Sequence, residues 1–233
     1  MENKNYFSLE PSIGKSFSYG WSIIFNKPFL ILLLAVMISG LLKGPMSYNL
    51  KTEDADWFNL MWIFPAAMFS LAYSLLFIPV ISYGLEYLFL KAIRYEETDL
   101  KYLFEGFKNK YLKIILANLI VSALVIVGFA LLIVPGIIAL CRLAFVPYLV
   151  MHKNMEPVHA VERSWQMTRG HGWKVFWMGI ISFFIIIGGL ICFFVGVIIS
   201  FMWIHSAFAT LYQSVMNQDD SDNPIPVLEV RES

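Results

Sequence analysis

Four long stretches of the chain carry almost no charge, and short segments rich in lysine and arginine separate them. The first runs from Pro28 to Leu42. The second, Trp57 to Leu90, contains only Glu86. The third, Ile114 to Met151, contains only Arg142. The fourth, Val175 to Gln218, has no formally charged residue and only His205 as a weak base. None shows the strict alternation of a barrel strand, so each predicts helix. A helix rises about 1.5 Å per residue and the hydrocarbon layer is about 30 Å thick, so about 20 residues cross it. The last three stretches exceed that length and must be subdivided.

Proline and glycine supply the expected divisions. Pro65 separates an outer interfacial segment, Trp57–Phe64, from a crossing that begins near Ala66 and is kinked at Pro79. Pro135–Gly136 is a strong turn signal, and Gly188–Gly189 is the expected turn of the fourth stretch. The expected spans are 28–46, 66–91, 113–134, 137–152, 173–188 and 190–214, within one membrane domain covering 1–218. The acidic tail, 219–233, is expected to be disordered. The fold class is therefore an all-α integral membrane protein with six transmembrane helices in three hairpins.

Each polar segment before a hairpin shows helical spacing of apolar residues. Ile13, Phe17, Trp21 and Ile24 form one stripe. Leu100, Leu103, Phe104, Phe107 and Tyr111 form a second, and Val158, Val161 and Trp165 a third. These predict three cytoplasmic interfacial helices anchored by Trp21, Phe107 and Trp165, and a unit of interfacial helix plus hairpin used three times.

Charge sets the orientation. With the N-terminus inside, every lysine and arginine lies in an inner segment except Lys43, Lys51 and Arg142. That asymmetry is the positive-inside pattern and predicts cytoplasmic termini. Hydrophobic residues make up 58% of the chain and charged residues 15%, with a mean hydropathy of +0.67. The opposite charges cancel, which removes any electrostatic pointer to nucleic acid. Cys141 and Cys192 lack metal-ligand spacing, so neither a metal site nor a disulfide framework is expected. No signal-peptide pattern precedes the first stretch.

Candidate chemistry is sparse. Intramembrane ionisable groups are costly and point to function, which singles out Arg142, Glu86 and His205. Asn118, with Ser122 and Tyr83, is placed to hydrogen-bond between helices. Gly40/Gly44 and Gly196/Ser200 have the small-xxx-small spacing of close helix contacts. No metalloprotease, nucleophile-elbow, Walker or dinucleotide fingerprint occurs, so no cofactor is expected and the chain reads as a non-enzyme.

The segments GLEYLFLKAIRYEE, DLKYLFEGFKNK, LLIVPGIIALCRLAFVPYLVM and EPVHAVERSWQMTRGHGWKVF occur in that order between residues 84 and 176. Together they resemble the bacterial membrane-domain family named after glycerophosphoryl diester phosphodiesterase, and the related YciC-like proteins. The resemblance implies a polytopic protein of the bacterial inner membrane. It does not extend to the hydrolase domain that some members carry. The expected role is a non-catalytic scaffold that contacts anionic headgroups on the cytoplasmic side, with membrane-protein partners or a second copy of the chain. The alternative is a transporter or channel subunit with a polar path near Arg142, Glu86 and His205.

Overall fold

A computed structural model describes residues 10–25, 28–43, 57–191 and 193–222. Among the described residues the regular elements are all helices, without strands. Helix α1 is Ile13–Ile24, α2 Phe29–Lys43, α3 Trp57–Leu76 and α4 Ile78–Ile93. A 3-10 turn, Leu100–Phe104, leads to the single turn α5, Gly106–Asn109. Then come α6 (Tyr111–Leu131), α7 (Ile133–Leu143), α8 (Val146–His152), α9 (Pro157–Met167), α10 (Gly172–Ile191) and α11 (Phe193–Asp222).

Among the described residues, five stretches are long and apolar enough to cross a membrane: Phe64–Ile93, Tyr111–Leu131, Ile133–His152, Gly172–Ile191 and Val195–Asp219. Helices α1 and α2 meet at 102° and form a sixth if counted as one span. These are the features of a multi-pass membrane protein.

Two breaks share one cause. The sequences Phe77-Ile78-Pro79 and Phe145-Val146-Pro147 each place proline in the first turn of a new helix. Proline lacks the N–H that an unbroken helix needs and its ring crowds the carbonyl four residues earlier. The predicted kink near Pro79 is therefore present, at Phe77. Pro65, in contrast, lies inside the continuous helix α3 and divides nothing.

Two expected turns move. The chain reverses between α6 and α7 at the extended residue Leu132, with φ −166° and ψ 159°. Pro135 and Gly136 sit within the first turns of α7, where proline is tolerated. Gly136 instead allows a close approach, because a Cβ there would lie 2.5 Å from the ring of Phe129. Gly188 and Gly189 lie inside α10, which continues to Ile191. A Cβ on Gly189 would lie 2.3 Å from Ser200 Oγ and 2.7 Å from Gly196 O. The predicted Gly196/Ser200 spacing thus marks a helix contact, closed by Ser200 Oγ donating to Ile185 O at 3.1 Å. Gly44, Cys192 and residues 223–233 lie outside the described residues. Asp219 to Asp222, expected in a disordered tail, form the last turn of α11.

The three expected interfacial helices differ from one another, so the repeat of one unit is not seen. Helix α1 packs along α11 with Phe17, Gly20 and Ile24 buried. Trp21 lies at the edge of that contact, its ring 4.7 Å from that of Trp203. The second segment is a 3-10 turn and one helical turn, folded back on α4. Leu103 is fully buried there, against Gly84, where a Cβ would come within 2.2 Å of Leu103 O. Phe107 stacks on Tyr111 and meets the ring of Phe77 at a tilt. In α9 the buried face is Ala160, Ser164 and Met167, while Val158 and Trp165 of the predicted stripe point outward.

Burial divides the molecule into two zones. Helices α2, α3, α6, α7, α10 and the start of α11 expose large apolar side chains such as Leu34, Phe69, Leu124, Val134, Phe184 and Val195. A water-facing surface would not carry so continuous an apolar cover. In the other zone α4 is enclosed on nearly every side from Pro79 to Ile93, as are α8 and residues 206–216 of α11. These three segments form the central core, and α1, the 3-10 turn, α5 and α9 wrap it.

Candidate functional site

Helices α4, α8 and α11 face one another in this core, and polar side chains recur along their contact. Glu86 and Arg94 lie on α4 and its C-cap, Tyr148 and His152 on α8, and His205, Tyr212 and Gln213 on α11. Tyr148 and His152 are four residues apart, hence on one helix face. Glu86 and Arg94 are eight apart, and His205 and Tyr212 seven apart, which also keeps one face.

At one end of this seam Glu86 Oε1 lies 3.2 Å from His205 Nδ1. Tyr148 donates its hydroxyl to Glu86 Oε2. His205 stacks on Phe89, with ring centroids 5.4 Å apart. The carboxylate, about one-fifth exposed, is thus held by two partners from two other helices. Tyr148 stacks in turn on Tyr212 at 4.7 Å. At the other end Arg94 donates to Gln213 Oε1 at 2.6 Å and pairs with His152 Nε2 at 2.7 Å, while Gln213 donates to Asn217 Oδ1 at 2.7 Å. Lys110 Nζ donates to Met151 O at 2.6 Å, and burial holds its ammonium pKa below the ordinary lysine value. Buried polar groups specify a packing when each finds a partner.

Arg142 belongs elsewhere. The carbonyl of Arg142 stands at the α7–α8 break, where the helical ladder is interrupted. Ser164 Oγ donates to it at 2.7 Å and accepts from Phe145 N at 3.3 Å. Thr168 Oγ1 also reaches the carbonyl, at 3.3 Å. The guanidinium lies 5.7 Å from the ring centre of Trp165. The S-W-x-x-T sequence of α9 is therefore a clamp: the serine and threonine satisfy the broken helix, and the tryptophan covers the arginine. Arg163 adds an ion pair to Asp219 of α11.

Of the residues singled out from sequence, Glu86 and His205 come together. Arg142 does not join them; it lines a cavity of about 440 Å³ with Cys141, Trp173 and Phe176. The α9–α10 turn at Gly170–Gly172 lies beside it. Asn118 lines a separate cavity of about 210 Å³ with Tyr83 and Pro147. Sequence reasoning missed Tyr148, His152, Arg94 and Gln213. The signal was present in the 148/152 and 86/94 spacings, but it needed knowledge of which helices face each other. Among the described residues no group of three or more His, Cys, Asp or Glu side chains could hold a metal ion.

Residues 121–218 match the profile of a family described as a domain of unknown function (DUF7847). The match begins within α6 and ends near the close of α11, so it contains the clamp, Arg142 and His205 but not Glu86. No curated protein matches the chain, and no solved structure does.

Proposed function

We propose that the chain is a multi-pass module of the cytoplasmic membrane of a bacterium, with both termini inside, and that it acts by contact with lipid and partner proteins. The observation that supports this most is the division of burial. One zone offers lipid an apolar surface on α2, α3, α6, α7 and α10. The other is an enclosed core whose seam of polar groups is spent on holding α4, α8 and α11 together. The resemblance of residues 84–176 to phosphodiesterase-associated membrane domains fits a module that does no hydrolysis itself. In this reading three hairpins cross the bilayer, and the 3-10 turn, α5 and α9 face the cytoplasm.

Single introduced cysteines test the topology. Glu97→Cys and Asn154→Cys, in a cysteine-free background, should react with an impermeant thiol reagent only from the cytoplasmic side. Leu132→Cys should react only from the other side. Labelling of positions 97 and 154 from opposite faces would end the proposal.

A second reading, a transporter or channel subunit, draws on one observation: Glu86, Tyr148 and His205 meet between three helices. Flux through proteoliposomes that is abolished by Glu86→Gln would favour it. Leakage equal to empty vesicles across a broad solute panel would remove it.

A further inference from the structure

We infer that the groove between α7 and the start of α10 binds one anionic phospholipid, with the phosphate on Arg142 and an acyl chain along Ile137, Ile138 and Phe176. The inference rests on the membrane reading above and adds a ligand to it.

Three observations carry it. First, the groove holds about 440 Å³ and is lined mainly by apolar side chains from Val134 to Phe176, with Arg142 as its cationic group. That volume falls in the range of about 300–1,000 Å³ typical of small-ligand sites. Second, Arg142 is oriented but unsatisfied. Trp165 covers the guanidinium, and Nη1 is enclosed without any hydrogen-bond acceptor among the described residues. A guanidinium in low dielectric calls for an anion, and its fork matches phosphate oxygens. Third, the α9–α10 turn beside Arg142 carries aromatic and basic side chains. Trp165, Trp173 and Trp177 are exposed near the α9–α10 turn, which also carries Arg169, His171 and Lys174. Tryptophan and basic residues gather where hydrocarbon meets water. Gly172 lies against the guanidinium: a Cβ there would be in ordinary contact, 4.0 Å from Arg142 Nε.

The apolar wall argues for a lipid over a free phosphate ion. Val134 and Ile138 are exposed on the same helix that carries Arg142, so the groove opens onto the bilayer-facing surface. A small soluble anion would use only the arginine and leave that wall uncovered.

The test uses the full chain purified in mild detergent and titrated with phosphatidylglycerol, phosphatidylcholine or inorganic phosphate. Native mass spectrometry counts retained lipid. Alkylation of Cys141, in a Cys192→Ser background, reports occupancy of the groove. The wild type should retain one phosphatidylglycerol in preference to phosphatidylcholine, and that lipid should slow Cys141 alkylation. Arg142→Gln should weaken retention about tenfold or more, as expected for loss of a charge-assisted contact, while Arg142→Lys keeps part of it. Ile138→Trp leaves the clamp untouched and should block the groove to both readouts. Equal retention of the two lipids, unchanged retention in Arg142→Gln, or protection of Cys141 by inorganic phosphate alone would each overturn the site. A correctly inserted protein that fails these tests loses only the site; cysteine labelling on the wrong faces removes the membrane reading itself.

Discussion

At the scale of single residues, the clamp between α9 and the α7–α8 break turns one proline into a tertiary contact. Pro147 starts α8 and forces the break. Arg142 O and Phe145 N then need partners, and Ser164 supplies both. Ser164→Ala should cost about 1–3 kcal/mol, the penalty for a buried polar group left unpaired. Thr168→Ala should cost less, because Thr168 Oγ1 bonds mainly within its own helix, to Ser164 O at 2.7 Å. The double variant should lose more than either alone in detergent thermal denaturation; two neutral single variants would show that water replaces the clamp. The Glu86–His205 contact gives a second case. Removing one partner of this half-buried contact leaves the other unpaired, at about 1–3 kcal/mol, whereas removing both costs less. Glu86→Leu and His205→Leu should each destabilise more than Glu86→Leu/His205→Leu, and a double-mutant cycle measures the coupling.

At the scale of elements, the long apolar helices were legible in the sequence and their joints less so. Five of the six expected spans overlap helices that are, among the described residues, long and apolar enough to cross a membrane. The reason is physical: a lipid-crossing helix must be apolar along its length, and that property is local. Joints depend on partners. Pro135–Gly136 and Gly188–Gly189 looked like turns because glycine and proline serve both turns and close helix contacts. Only the neighbouring helix decides between the two roles. The adjacent glycines of α10 make a direct test. Gly188 has open space where a Cβ would go, and Gly189 has the backbone of Gly196 at 2.7 Å. Gly188→Ala should be neutral or gain up to about 1 kcal/mol of helix propensity. Gly189→Ala should push α10 from α11 and lower the thermal midpoint. Similar behaviour of the two variants would mean the contact is not tight in the membrane. The second interfacial segment failed for a related reason. Of its stripe at 100, 103, 104 and 107 only Leu103 is buried, in the space that Gly84 leaves, while Phe104 is exposed on a 3-10 turn.

At the scale of the whole molecule, two kinds of interior coexist, and hydropathy alone does not tell them apart. Leu88 and Leu124 both lie in apolar helices, yet Leu88 is fully enclosed and Leu124 faces outward. The candidate site shared this ambiguity. Glu86 and His205 were visible as rare ionisable groups, but the seam they begin could be seen only once α4, α8 and α11 were known to enclose one another. The distinction has an energetic consequence. Truncating an enclosed side chain leaves a cavity that rigid neighbours cannot fill, at a cost of about 2–5 kcal/mol for leucine to alanine. Truncating a bilayer-facing one leaves a gap that mobile acyl chains occupy, and lipid is as apolar as the side chain removed. Leu88→Ala should therefore destabilise strongly, and Leu124→Ala should shift the thermal midpoint little, when both are measured in the same lipid nanodiscs. Transfer to a short-chain detergent that packs poorly against α6 should narrow the difference by penalising Leu124→Ala. Equal losses for the two variants in nanodiscs would show that α6 is covered by protein in its native setting, and would move its outward face from lipid contact to a partner surface.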